Sequence, residues 1–76
     1  MNKQRRKEIE EIKNQLSDLA SEVERLMEQE EEVLENMPES LQNSDKGEKA
    51  QEAIDNLESA KNSIEEALET LEEAKN

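Results

Sequence analysis

The chain has no cysteine, no histidine and no aromatic residue, and only one glycine and one proline in 76 positions. Without cysteine there is no disulfide, zinc–thiolate centre or thiol chemistry. Without histidine the Glu-x-x-His motif of a carboxylate-bridged di-metal bundle cannot be built. Without aromatics there is no stacking platform for nucleic-acid bases. No apolar run exceeds two residues, so no membrane span or signal peptide is expected, and a cytoplasmic location is. Apolar residues are also scarce, at 30% against 42% charged, and the net charge is −12. Phosphate contacts need clustered cations, so direct nucleic-acid binding is not expected, although an acidic rod can mimic nucleic acid toward a basic groove. A chain so short and polar buries little apolar area by itself, which points to a homo-oligomer.

What the sequence does have is unbroken heptads, which argue for helix over disorder. With Ile9 as position a, the a positions of the first arm are Ile9, Leu16, Val23, Glu30 and Met37, and the d positions are Ile12, Leu19, Leu26 and Val33. In the second arm Ala50, Leu57, Ile64 and Leu71 fall at a, and Ala53, Ala60, Ala67 and Ala74 at d. The two arms mirror one another about a point between Leu41 and Gln42. This predicts an all-α fold of one domain, an antiparallel two-helix coiled-coil hairpin that self-associates into a helical bundle. The first helix is expected over about residues 3–36, the turn over 37–44 and the second helix over about 45–75. Large a and d residues of the first arm would face small alanines of the second, drawing the helices close.

A further apolar strip runs along e: Ala20, Met27 and Leu34 in the first arm, Ile54, Lys61 and Leu68 in the second. With a and d forming the seam, these six would line the oligomer interface. Glu30 interrupts the seam as a buried polar residue. It either sets register, paired with Lys61 of a second copy, or faces a ligand, or bends outward near the turn. The basic residues Lys3, Arg5, Arg6 and Lys7 would lie beside Glu69, Glu72, Glu73 and the free carbonyls at the end of the second helix. They also have the composition of a phosphate patch.

Pro38 stops the first helix near Asn36 and can open a short turn through Glu39-Ser40-Leu41, with Leu41 tucked onto the end of the seam. Ser44 reads as the N-cap of the second helix. No catalytic set, metal site or cofactor site can be assembled, and no enzymatic activity is expected. The calcium-loop pattern fails, because Gln42, Ser44 and Lys46 stand where acids are needed. The candidate ligand-binding residues are Asn36, Ser40, Gln42, Asn43, Ser44 and Lys46. They are neutral side chains and one cation gathered at a helix start, where backbone donors favour an anion; an ordinary capped turn fits the same residues.

The stretch Asn36-Met37-Pro38-Glu39-Ser40-Leu41-Gln42-Asn43-Ser44, continued by the heptads from Ala50 to Ala74, resembles a group of short acidic helical proteins. These are encoded in phages, prophages and mobile elements of Gram-positive bacteria. The resemblance covers about half of the chain, and its specific part is the Met-Pro-Glu-Ser-Leu-Gln turn. Gly47 departs from the group, where a larger residue often stands. The resemblance implies a counter-defence accessory protein in a bacterial host cell. One such role is an oligomeric sponge holding a cyclic nucleotide, as in anti-Pycsar sponges, with Arg25, Lys46, Lys49 or Lys61 offsetting its charge. The alternative is an acidic module that inhibits a host protein, and a third is a purely structural coiled coil.

Overall fold

The computed structural model describes all 76 residues and is helical from end to end: α1 spans Lys3–Glu35, α2 Glu39–Gln42 and α3 Asp45–Ala74. The two long helices pack against one another as a hairpin. Its extents are 58 × 14 × 11 Å and its radius of gyration is 17.3 Å. A compact chain of this length would have a radius near ~11 Å, so the shape is a rod.

The ends form where local chemistry dictates. Asn2 caps α1, its side-chain oxygen accepting from the Arg5 amide at 2.8 Å. Pro38 follows the last turn of α1, and the C-cap is Asn36, as the stop signal predicts. Pro38 is the N-cap of α2 rather than its first residue, and its carbonyl accepts from Leu41 and Gln42. Ser44 stands at the N-cap of α3, but its hydroxyl does not cap it. Gly47 is buried where α3 passes the end of α2, and a Cβ there would fall inside the Gln42 carbonyl. Glycine is therefore what lets the second arm start so close to the turn.

The hairpin is antiparallel as expected, with a different face of each helix turned inward. Residues at a and e make the seam. Ala20, Ala50 and Ile54 are buried, and Leu16, Val23, Met27, Leu34, Leu57, Ile64, Leu68 and Leu71 are half-buried. The d row of α1 lies outside: Ile12 is 46% exposed, Leu19 50%, Leu26 43% and Val33 50%. Each helix is thus rotated by roughly 50° from the expected a/d seam, at 100° per residue. The physical reason is area. The d rows place all four of their large side chains on α1 against alanines of α3, whereas the e rows share theirs between the helices, Met27 and Leu34 on α1 and Ile54 and Leu68 on α3, so that both helices bury large side chains. The same rotation lets lysines at e reach acids at b across the seam. Glu24 pairs with Lys61 at 3.3 Å, Glu10 with Lys75 at 2.9 Å, and Lys13 with Glu72. All three pairs are symmetric about the Gln42–Asn43 peptide bond, one residue beyond the expected fold point.

Only four residues are buried, and no large side chain is fully enclosed. Each half-exposed d side chain of α1 leaves on the order of 1 kcal/mol of hydrophobic stabilisation unrealised.

Candidate functional site

The turn brings the six candidate ligand residues to one end of the rod, and half of them are spent on their own backbone. The Gln42 amide donates to the Leu34 carbonyl at 3.2 Å and the Met37 carbonyl at 3.0 Å, satisfying the end of α1. The Asn43 amide donates to the Glu39 carbonyl at 3.4 Å, and the Ser44 hydroxyl donates to the Leu41 carbonyl. The Ser44 backbone amide is also occupied, donating to the Leu41 carbonyl at 3.1 Å, so it is not one of the free donors expected there. Asn36, Ser40 and Lys46 are exposed, and their side chains make no hydrogen bond. Leu41 is 41% exposed and does not tuck onto the seam.

The residues expected to form an oligomer face sit inside the hairpin. Ala20 and Ile54 are buried, and Met27, Leu34 and Leu68 are half-buried in the seam. Lys61 is half-buried and bonded to Glu24, with Glu65 3.9 Å away. An a/d seam would leave these residues at the surface, and the a/e seam encloses them. The uncovered apolar strip is instead Ile12, Leu19, Leu26 and Val33.

Beside this strip lies an open depression of about 460 Å³, lined by Leu26, Gln29, Glu30, Ala53, Asn56 and Leu57. Three of the six lining residues are apolar, and the others are two amides and one carboxylate. Glu30 lines it half-buried, across from Ala53, whose small side chain leaves the space. Glu30 is the one titratable group among the lining residues. No group of acidic side chains converges as a metal site. No helix is long and apolar enough to cross a membrane.

At the other end of the rod, Lys75 lies between Glu10 at 2.9 Å and Glu72 at 3.0 Å, and Lys13 joins the same carboxylates. The hydrogen bond from Lys75, with Lys13 nearby, lowers the pKa of Glu10. Hydrogen bonds from Lys13 and Lys75 lower that of Glu72. The bonds to Glu10 and Glu72 raise that of Lys75. Arg6 Nε donates to the Lys75 carbonyl at 3.0 Å, capping α3. None of Lys3, Arg5, Arg6 and Lys7 forms an ion pair. Of the four basic residues expected beside the acids and carbonyls of this end, only Arg6 reaches a carbonyl, and Lys13 and Lys75 hold the acids instead. Both lie at e, a row that the sequence treated as oligomer surface.

No protein-family model, curated protein or solved structure matches this chain.

Proposed function

We propose that the chain is a non-enzymatic binding protein, an acidic rod that occupies a basic surface on a host protein as a nucleic-acid mimic. One observation carries this: of its 22 acidic side chains, only Glu10, Glu24, Glu65 and Glu72 have a cation within 4 Å. The remaining acids project along the rod with no internal compensation. Twelve net charges over 58 Å give about one per 5 Å, against ~3.4 Å along a single nucleic-acid strand. The phage-type setting suggested by the turn fits such an inhibitor acting in a bacterial host cell.

The test is displacement of a labelled duplex from a nonspecific DNA-binding protein with an open basic groove, followed by anisotropy at several salt concentrations. Displacement that weakens steeply with salt supports the proposal, and no displacement at low salt overturns it.

Sequestration of a cyclic nucleotide is a second role, favoured by the exposed Asn36, Ser40 and Lys46 side chains, which have no partner within the chain. Native mass spectrometry against a panel of cyclic mononucleotides tests it. A ligand adduct lost on Ser40→Ala with Lys46→Gln supports it, and no adduct with any member removes it.

A further inference from the structure

We propose that a second copy of this chain covers the Ile12–Val33 face, lying antiparallel to the first with the two turns at opposite ends. This goes beyond the ligand of the rod and stands on the hairpin itself.

The two broad faces of the hairpin differ in chemistry. One carries the d side chains flanked by g. Over residues 9–36 and 50–74 the eight d residues are apolar, and of the seven g residues Gln15, Glu22, Gln29, Asn36, Asn56, Ser63 and Thr70, only Glu22 is charged; the same rows carry Arg5, Glu8, Lys46 and Lys49 beyond those stretches. At the overall 42% charge, about six of these fifteen would be charged on a surface meant for water. The opposite face carries the b residues, six of eight of them glutamate. A neutral apolar face on so acidic a chain marks a surface that is covered.

Three observations select a copy of the chain as the cover. First, the stripe is self-complementary. A two-fold axis crossing the rod between Glu22 and Val23 brings Leu19 to the second copy's Leu26 and Ile12 to its Val33, large side chain to large side chain. That is what an isologous contact requires. The depression beside Leu26 then receives the second copy's Leu19. Second, the outline of the rod, 58 × 14 Å, offers about 800 Å² per copy, the size of a stable interface. Third, the charges fit. The same axis sets Lys3, Arg5, Arg6 and Lys7, which have no ion-pair partner in their own hairpin, level with residues 38–42 of the other copy, where Glu39 lies. Copies with turns side by side would instead crowd two clusters of Glu28, Glu30, Glu31, Glu32 and Glu35 at one end. The antiparallel arrangement brings the two Glu22 side chains near the axis, at the wet rim where salt screens them.

Sedimentation equilibrium of the full chain tests the association. The expected mass is twice 8.8 kDa. Leu19→Glu with Leu26→Glu should weaken the dimer at least ~30-fold, the effect of losing a central apolar anchor. Leu19→Ala, which adds no charge and keeps the helix, should weaken it less. Glu31→Gln with Glu58→Gln on the acidic face should not weaken it, and Glu22→Gln should tighten it. Spin labels at Ser40→Cys should lie more than about 40 Å apart, from 1.5 Å of helix per residue on either side of the axis. A concentration-independent monomer with native helicity overturns the proposal. So does equal weakening by variants of both faces, or a label distance under ~25 Å, the signature of adjacent turns.

Discussion

Lys61 of α3 reaches Glu24 of α1 at 3.3 Å, on the acidic side of the seam, while Glu30 lines the depression on the other side. The two residues that break the apolar rows therefore answer to different partners. A double-mutant cycle on urea unfolding with Glu24→Gln and Lys61→Met should give a coupling of about 0.2–1 kcal/mol. The cycle with Glu30→Leu and Lys61→Leu should be additive within about 0.5 kcal/mol. Strong coupling in the second cycle would mean that Lys61 leaves Glu24 for Glu30 in the assembled protein.

Gly47 should resist the substitution that helix propensity recommends. Alanine gains roughly 1 kcal/mol within a helix. Here its methyl group meets the Gln42 carbonyl, and backbone has to move. Gly47→Ala should lower stability by about 1–3 kcal/mol net, the scale of overpacking. A stabilised variant in urea titration would show that α2 yields freely.

The turn separates a structural side chain from a free one. Gln42→Ala removes both bonds to the end of α1 and should cost about 1 kcal/mol, roughly 4–8 °C in Tm. Ser40→Ala breaks no hydrogen bond and should stay within about 0.5 kcal/mol. Equal melting curves for the two would release Gln42 for ligand contacts.

The ion cluster at the end of the rod opposite the turn has a defined pH window. Glu10 and Glu72 titrate lower in the folded chain than the ordinary 4.5. Their contribution is complete above 4.5 and is lost as pH falls through the lowered values. Lys75 titrates above its ordinary 10.5, so its contribution is complete below that value and is lost as pH rises through the raised one. Amide exchange in the last turn of α3 should be faster in Lys75→Met than in the parent chain at neutral pH. The two should converge at both extremes, and a difference that persists at pH 2 would place the effect elsewhere.

Much of this architecture is legible in the sequence. Pro38 and Ser44 mark where the long helices stop and start, and the mirrored heptads place the fold point to within one residue. The rotation of the seam is not legible, because a, d and e all carry apolar side chains and periodicity does not rank them. The ranking comes from Ile54 and Leu68 against an alanine row, and from lysines at e that gain acids across the seam. A signal was present in Lys13, Lys61 and Lys75, spaced along one row opposite glutamates. The role of the turn is hidden for a related reason. Gln42, Asn43 and Ser44 suit a ligand or a chain reversal equally, and only hydrogen-bond bookkeeping separates the two uses.

The hairpin also dictates an order of assembly. The Gln42–Leu34 contact closes over eight residues, whereas Glu10 and Lys75 close over sixty-five. Because closure entropy rises with loop length, zipping starts at the turn and runs outward. On that order the contacts of Glu10 with Lys75 and of Lys13 with Glu72, at the end far from the turn, close after the rest of the seam.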